Sequence, residues 1–440
     1  MAAVLLLATS APARLKFPAA QTLSEGGAPQ VAVDPQDRAM VAWLRSGIES
    51  VRLGPDGAPG EVKTLLSNNI DLFLGPHVAV DGQGRASVVW ERDRGDFSES
   101  DCFVPPSTTC VQGVRVDADG TPGAVQTLAS FDTPERDPDL VGRSDGPRVA
   151  ADSEGRATVV WRRVGFTAGG TESMVQAVRL GADGSAGPVQ TLSEDGAGEP
   201  KLAIDSQDRA TVVWPRFESG NRRIEAVRLG ADGAPGAVKT LSKRRQDTDS
   251  PQLAVDPRGR ATVVWRRADR AKRRIQTARV GAGGNPGKVK TLSKGADSPQ
   301  VAGDRRGRAT VVWRRIKQTK RALVVRVQSV RLGKDGAPGA VRTLSKNRAF
   351  GPQAAVDSRG RATVVWERIR LRGRRGIGRI EARRLGTRRD PEPVQTLTKG
   401  EGVGSPQVAI DSTGRPTVVW QVSDLSVGAL IQSTRGQDRR

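Results

Sequence analysis

Residues 251–267 read PQLAVDPRGRATVVWRR, and this stretch decides the fold. Residues 253–256 and 260–267 are rich in branched apolar side chains, a composition typical of two short strands. The residues between them, Asp256-Pro-Arg-Gly259, favour a tight turn, because Asp can cap its own backbone and Gly accepts a positive φ. The stretch therefore predicts a strand–turn–strand unit.

The same unit recurs eight times. Each copy has a Trp, an Asp nine residues before the Trp, a Pro five residues before the Asp and an Arg four residues after it. Eight matches at four fixed offsets cannot come from composition, so the chain is built from repeats. The repeats are numbered by their Trp, in the order Trp43, Trp90, Trp161, Trp214, Trp265, Trp313, Trp366 and Trp420.

Two further strands follow in each repeat. In repeat 5 they are residues 275–280 and 289–292, joined by a hairpin that carries Asp-Gly in five other repeats. Four antiparallel strands per repeat indicate the blade of a β-propeller. Repeat 8 lacks a fourth strand, whereas residues 21–24 precede the first repeat as a lone strand. We therefore predict an all-β, eight-bladed propeller of four-stranded antiparallel blades, closed by the N-terminal strand completing the last blade.

Domain organisation and compartment follow from the ends and the cysteines. Residues 1–14 hold an apolar run and an Ala-x-Ala pattern without basic residues, so we interpret them as a signal-like segment. Residues 15–440 form a single propeller domain, and we expect it to be extracytoplasmic or secreted. Cys102 and Cys110 are the only cysteines, and we predict a loop disulfide between them. The alternatives are a frayed apolar N-terminus and two unpaired thiols.

The segment 78–89 follows the pattern Val-Ala-Val-Asp-x-x-Gly-Arg-x-x-x-Val. It resembles the strand–turn–strand of NHL-like and related secreted bacterial propellers. The turn is also similar to the Asp-box of sialidase-like propellers, whose Asp-to-Trp spacing is shorter. Both resemblances concern architecture and imply no function.

Residues that all repeats share should build the fold, so function is expected where the repeats differ. The residue after each Pro lies at the start of the innermost strand, and in a closed propeller it would surround one mouth of the central channel. A ligand ring and plain polar strand ends are the two interpretations of this position. Its eight residues are Gln30, His77, Arg148, Lys201, Gln252, Gln300, Gln353 and Gln407.

The interval from Trp90 to Trp161 is longer than the others and holds two acidic loops, 91–110 and 130–146. Carboxylates of this kind could bind calcium, but no regular calcium loop is present. We therefore predict a solvated acidic flap and no cofactor, with calcium as the alternative.

The charge distribution is lopsided. The net charge is +22, and residues 242–390 hold 41 Lys and Arg against 11 Asp and Glu. Clustered cations attract polyanions by counterion release, although an Arg-rich solvated face is the alternative. The polyanion-binding candidates are Lys243, Arg244, Arg245, Arg273, Arg274, Lys317, Lys320, Arg321, Arg372, Arg374 and Arg375.

Several catalytic classes lack their residues. Without Tyr there is no sialidase-type nucleophile, and with one His there is no two-His metal site. We expect a monomeric binding or scaffolding propeller that is not an enzyme. Its partner would be an anionic polymer, a glycan or another protein, and the absence of stacking aromatics argues against sequence-specific nucleic acid. The alternatives are a carboxylate-based glycan hydrolase or lyase, and a structural surface protein without a specific ligand.

Overall fold

The computed structural model describes residues 14–67, 75–93, 107–129, 141–167, 170–243, 246–269, 272–320, 322–372, 375–387, 391–424 and 428–439. Regular structure in these residues consists of strands. Among them no helix is long and apolar enough to cross a membrane.

The first half of the chain contributes the following strands: β1 (Arg14–Lys16), β2 (Gln21–Glu25), β3 (Gly27–Val33), β4 (Ala39–Leu44), β5 (Ile48–Leu53), β6 (Pro59–Leu66), β7 (His77–Val80), β8 (Ala86–Asp93), β9 (Ser107–Val116), β10 (Gln126–Ala129), β11 (Val141–Ala151), β12 (Ala157–Thr167), β13 (Gly170–Leu180), β14 (Gln190–Thr191), β15 (Lys201–Ile204), β16 (Ala210–Glu218), β17 (Asn221–Leu229) and β18 (Lys239–Thr240). The second half contributes β19 (Asp247–Val255), β20 (Ala261–Asp269), β21 (Lys272–Val280), β22 (Lys290–Lys294), β23 (Ala296–Gly303), β24 (Ala309–Gln318), β25 (Leu323–Leu332), β26 (Arg342–Thr343), β27 (Ala349–Val356), β28 (Ala362–Arg372), β29 (Arg375–Leu385), β30 (Gln395–Gly400), β31 (Val403–Ile410), β32 (Pro416–Asp424), β33 (Gly428–Arg435) and β34 (Gln437–Arg439).

Each repeat supplies one four-stranded antiparallel unit, as the sequence predicts. Repeat 5 pairs β19, β20, β21 and β22 in chain order, and repeats 1, 4, 6 and 7 are built in the same way. Repeats 2 and 3 are joined into one eight-stranded sheet, because β11 also pairs in parallel with β9. The all-β, multi-bladed propeller architecture is thereby confirmed.

The N-terminal strand completes the last unit. β2 pairs antiparallel with β33, and Gln21 lies opposite Ser433, so repeat 8 receives the fourth strand that its own sequence lacks. The first strands of successive repeats contact each other, and β31 of repeat 8 contacts β3 of repeat 1. The two ends of the chain thus meet, and β1 and β34 form a short additional pair.

The core lies between neighbouring units. All eight Trp are 0% exposed, and Trp214 of repeat 4 shares a hydrophobic cluster with Val160 and Val175 of repeat 3. The second strands are buried in their first residues, as β16 is from Ala210 to Trp214, whereas β7 and β15 are half-buried along their length. First strands that are accessible in this way line a central channel. A cavity of about 430 Å³ at one end of it is lined by residues from six repeats.

The turn after each first strand is fixed by its Asp. In repeat 4, Asp205 Oδ1 accepts hydrogen bonds from the N–H groups of Gln207 and Arg209, at 2.8 and 3.1 Å. Its Oδ2 accepts from Arg209 Nε at 3.0 Å and from Arg228 in β17. Arg228 then donates from Nη1 to the carbonyl of Gly259, in the turn of repeat 5, at 2.5 Å.

We call this bond between a third-strand Arg and a carbonyl in the next turn the arginine latch. In repeat 8, Arg435 donates to the Asp37 carbonyl of repeat 1 at 2.6 Å, so the latch also links the last repeat to the first. The other latch arginines of the described residues are Arg52, Arg115, Arg279, Arg331 and Arg384.

The propeller has two ends, which we name by the connections that they carry. The turn face carries the turns that follow each first strand. The loop face lies at the other end of the strands, where the first strands begin and the second strands lead into the third.

Candidate functional site

The predicted ligand ring lies towards the loop face, and every one of its eight residues is half-buried. The predicted position at the start of a strand is correct for His77 and Lys201, which begin β7 and β15, and wrong for the other six, because those first strands begin three to seven residues earlier. The five Gln and the three cationic or imidazole members differ in their contacts. His77, Arg148 and Lys201 come from repeats 2, 3 and 4 and lie next to one another along the ring. This sector is the irregular part of an otherwise uniform position.

The His77 ring is held in one tautomer. Arg148 Nη1 lies 2.7 Å from His77 Nε2 and also donates to the Pro147 carbonyl at 2.7 Å. Because a guanidinium can only donate, Nε2 must accept and the ring proton must lie on Nδ1. Burial, together with the charges of Arg148 and Lys201, holds the pKa of His77 well below its usual 6.5. His77 is therefore a neutral imidazole at neutral pH.

A carboxylate lies between the two cations. Glu199 Oε2 is 3.7 Å from Arg148 Nη2 and 3.9 Å from Lys201 Nζ. Burial, with the nearby charge of Arg148, lowers the pKa of Lys201 to about 7, and Glu199 opposes this effect only in part. An amine with this pKa can gain or lose a proton near neutral pH, which is the requirement for general acid–base chemistry.

A cavity of about 590 Å³ opens beside this group of charges. Lys201 and Gln252 line it from the first strands of repeats 4 and 5, and Phe217 and Arg222 line it from β16 and β17. Phe217 is 59% exposed, which is unusual for an aromatic side chain and makes its ring available to a ligand. We call this space, with Glu199, the repeat-4 cavity.

The cavity exists because repeat 4 lacks an ion pair that its neighbours have. In repeat 3, Arg162 Nη2 bonds Asp145 Oδ2 at 2.6 Å, and in repeat 5 the same two positions form an ion pair between Arg266 and Asp249. Repeat 4 has Pro215 and Gly198 there instead. These small residues leave open the space that an Arg–Asp pair fills on either side.

Position 198 must be a glycine because Pro215 packs against it. A Cβ at position 198 would lie 2.8 Å from Cγ of Pro215, closer than real Cβ contacts. Gly198 also donates its backbone N–H to the Pro215 carbonyl at 2.7 Å, so the two residues are held together. A side chain at 198 therefore needs a simultaneous change at 215.

The carboxylates around the cavity are mostly neutralised by arginines. Arg222 Nε donates to Asp247 Oδ1 at 2.8 Å, and its Nη2 lies 3.2 Å from Asp249 Oδ2. Among the described residues that line the cavity, Glu199 is the one acidic side chain, and its contacts to cations are long. No group of three or more His, Cys, Asp or Glu in the described part of the chain could hold a metal ion.

The predicted polyanion candidates are only partly visible. Lys243, Lys317 and Lys320 are exposed, Arg274 is half-buried, and Arg273 is exposed but bonds Asp297 at 2.7 Å. Asp297 also lies 3.4 Å from Arg266 and Arg314, so part of the positive charge of this sector is neutralised. The remaining candidates lie outside the described residues or have side chains that are not described, namely Arg244, Arg245, Arg321, Arg372, Arg374 and Arg375.

The predicted disulfide and acidic flap also fall largely outside the described residues. Cys110 is fully buried in β9, but Cys102 lies outside them, so the disulfide stays a prediction. Most acidic residues of the two long loops lie outside them as well. Asp145 is described, and it is buried against Arg162 instead of facing solvent.

Sequence reasoning found Lys201 and Gln252 but missed Glu199, Gly198, Pro215 and Phe217. The signal for two of them was present in the repeats. The residue after the Trp and the residue two before the Pro lie opposite each other in β19 and β20, as Arg266 and Asp249 do. Comparing these two positions across repeats would have singled out repeat 4 as the unit that lacks both large side chains.

No protein-family model matches the chain, and no curated protein matches it. Similar solved structures include a protein of unknown function from Dyadobacter fermentans, at 11% identity and a TM-score of 0.46 over 96% of this chain and 100% of the other. A puromycin hydrolase is similar at 16% identity and a TM-score of 0.48 over 90% of this chain and 58% of its own length. The polysaccharide lyase Uly1 is similar at 9% identity and a TM-score of 0.47 over 93% and 89%. The likeness concerns the propeller type of fold, and a kinship with NHL-like propellers in particular stays a prediction.

The prediction that the chain is not an enzyme is corrected. Besides the hydrolase and the lyase, the similar structures include the NanB sialidase from Streptococcus pneumoniae and an α-L-arabinofuranosidase from Fusarium graminearum. The prediction failed because the absence of Tyr and of a second His excludes particular mechanisms only, and proton transfer by Lys and Glu was not considered.

Proposed function

We propose that this propeller is a glycan-acting enzyme and that it cleaves its substrate in the repeat-4 cavity. The observation that carries the proposal is the pair of Lys201 and Glu199, a half-buried amine with a pKa of about 7 beside an accessible carboxylate. Both hydrolysis and elimination of a glycosidic bond need a proton donor and a proton acceptor. Lys201 and Glu199 supply these roles.

The shape and lining of the cavity favour a saccharide. Its volume of about 590 Å³ lies within the range of small-ligand sites. Phe217 offers an apolar ring face, and Ser173 and Gln252 offer hydrogen-bonding groups at the wall. Sugar rings present both an apolar face and hydroxyl groups, so they match this combination.

The proposed site uses a lysine and a glutamate, whereas a carboxylate-based hydrolase would use two free carboxylates. Asp145 and Asp249, two buried acids of the neighbouring repeats, are bonded to Arg162 and Arg266. The oxygens of both carboxylates are occupied by these guanidinium groups. Glu199 is the acid that remains accessible.

The test is a panel of polysaccharides incubated with the purified protein. New reducing ends would report cleavage, and ultraviolet absorbance of unsaturated uronates would separate elimination from hydrolysis. We expect cleavage of at least one polymer, and a loss of at least 100-fold in Lys201→Met and in Glu199→Gln. Lys63→Met and Glu61→Gln are matched controls, because Lys63 and Glu61 form an exposed pair elsewhere, 2.6 Å apart. Full activity of Lys201→Met, or no cleavage of any polymer, would overturn the proposal.

A second pair of variants tests the cavity itself. The double variant Gly198→Asp with Pro215→Arg gives repeat 4 the ion pair of repeats 3 and 5. This ion pair should fill the cavity and leave the eight residues of the ligand ring unchanged. We expect this double variant to fold and to lose activity. Gly198→Asp alone should be the less stable protein, because the new Cβ meets Pro215.

A further inference from the structure

We infer that the ligand of the repeat-4 cavity carries a carboxylate, and that this carboxylate binds between Arg148 and Lys201 in the place where Glu199 Oε2 lies. The inference rests on the proposed function, since it assigns the substrate class of the same site. It names an acidic sugar, a uronate, as the group that the cavity recognises.

The contacts of Glu199 are those of a loosely held group. Its distances of 3.7 Å to Arg148 and 3.9 Å to Lys201 exceed hydrogen-bond length. Its side chain is 47% exposed, whereas Arg148 and Lys201 are only 18% and 20% exposed. The carboxylate therefore faces solvent, and the cations that it approaches are largely shielded from water.

The structural ion pairs nearby are much tighter. Arg162 holds Asp145 through two bonds of 2.8 and 2.6 Å, and Arg222 holds Asp247 through bonds of 2.8 and 3.0 Å. The sequence thus forms close two-point pairs where Arg and Asp build the loop face. The Glu199 contacts differ from these in length and in exposure, so a competing carboxylate can displace Glu199 at low cost.

The two cations are also short of partners. Arg148 Nη1 gives its close contacts to the uncharged acceptors His77 and Pro147, and Lys201 Nζ makes no hydrogen bond to any described residue. Arg148 also has the charge of Glu91 nearby, whereas Lys201 has that of Glu199 alone. A buried cation without a close anion, as Lys201 is, is unfavourable, because burial removes its hydration. A ligand carboxylate that reaches both groups would relieve this cost, and a neutral sugar would not.

The residues of the ligand ring explain why the site lies at repeats 3 and 4 and not at the other repeats. In the other five repeats the same residue is Gln, which carries no charge. Arg148 and Lys201 belong to adjacent repeats and both approach Glu199, which lines the repeat-4 cavity together with Lys201. A sugar ring placed against Phe217 would have its acidic substituent within reach of this pair.

The experiment compares matched sugars by calorimetric titration at pH 6, where Lys201 is charged. Galacturonate and glucuronate are the probes, galactose and glucose are their neutral counterparts, and galactose 6-sulfate replaces the carboxylate by another anion. We expect the uronates to bind at least tenfold more tightly than the neutral sugars. Arg148→Gln and Lys201→Met should each abolish this preference.

The variant Glu199→Gln shows whether the Glu199 carboxylate competes with the ligand for Arg148 and Lys201 or supports ligand binding. Removing the competing charge should tighten uronate binding severalfold, although the same variant should lose turnover. Glu199→Ala provides a second test of the same effect, and Glu61→Gln should leave binding unchanged. Weaker uronate binding in both Glu199 variants would overturn the inference.

The other possible results of this experiment also test the inference. Equal binding of uronates and neutral sugars would refute the acidic substrate class while leaving the proposed glycan activity intact. Tighter binding of the sulfate than of the uronates would refute the carboxylate assignment. Absence of binding by every sugar, together with absence of cleavage, would refute the proposed function and this inference together.

Discussion

His77 is the single histidine of the chain, and its protonation should report on the charges around it. His77 accepts from Arg148 and lies in a sector with Lys201, so a proton on its ring would add a third positive charge to the group. Each of these residues directly follows the Pro of its repeat, and the sequence alone placed them in one ring. It could not show that they touch, because the distances across the ring depend on how the repeats pack.

The pKa of His77 predicts how stability depends on pH. The unfolded chain takes up a proton on this ring near pH 6.5, whereas the folded chain does not, so the contribution of His77 to stability should be full above pH 6.5 and fall as the pH drops below it. The loss should approach about 1.4 kcal/mol per pH unit. His77→Gln, which introduces the residue found in five other repeats, should remove this dependence.

Two measurements check the prediction. Urea unfolding at pH 7 and pH 5 should show a smaller difference between the two pH values in His77→Gln than in the natural sequence. Because the chain has one His, its ring protons can be followed directly by NMR. A normal titration of that signal near pH 6.5 would contradict the prediction.

At the scale of the strand, stability depends on the buried Asp of each turn. Asp205 joins the backbone of its own turn, Arg209 and Arg228, and Arg228 latches onto the turn of repeat 5. The sequence predicted that this Asp and the Arg four residues later are structural. It did not predict the latch, because the third-strand Arg recurs in a segment where alternating polar residues are expected to face solvent.

Asp205→Asn should therefore be strongly destabilising. The change leaves Arg209 and Arg228 without their common carboxylate, and breaking a buried ion pair costs about 3–5 kcal/mol. Asp232→Asn is the matched control, because Asp232 is exposed and only accepts the N–H of Ala234 in a hairpin. Equal unfolding midpoints in guanidinium for the two variants would show that the buried Asp is dispensable.

At the scale of the whole molecule, the sequence was most informative about architecture. The periodic Trp, Asp and Arg predicted four-stranded units, and the lone strand at 21–24 predicted its pairing with repeat 8. The candidate site was harder, because it depends on what is missing from repeat 4. Small residues such as Gly198 and Pro215 give no signal of chemistry until the neighbouring ion pairs are seen.

The lopsided charge makes a prediction at the same scale. Lys272, Lys317 and Lys320 are exposed on the loop face of repeats 5 and 6, and we propose that they attract an anionic polymer towards the cavity. Replacing all three by Gln should lower the salt concentration needed for elution from a heparin column. The slope of log K against log salt should fall by about 2–3.

The control removes equal charge near the other face. Lys239, Lys288 and Lys334 are exposed in or near the hairpins that lead into the fourth strands. Their replacement by Gln should change retention much less. If both triple variants shift equally, the polymer responds to total charge and the loop face has no special part in binding.

The arginine latch has one more consequence. Each latch points from one repeat to the next in the same direction, and Arg435 brings the series back to its start at Asp37. Among the described residues the series has seven latches and lacks one between repeats 3 and 4, where Arg179 donates to Thr158 and Asp152 of its own repeat. At that junction Asp208 of repeat 4 accepts hydrogen bonds from the backbone N–H and the hydroxyl of Ser153 in repeat 3, so a different contact joins these two turns. Removal of one latch should therefore weaken one junction and leave the neighbouring turns joined.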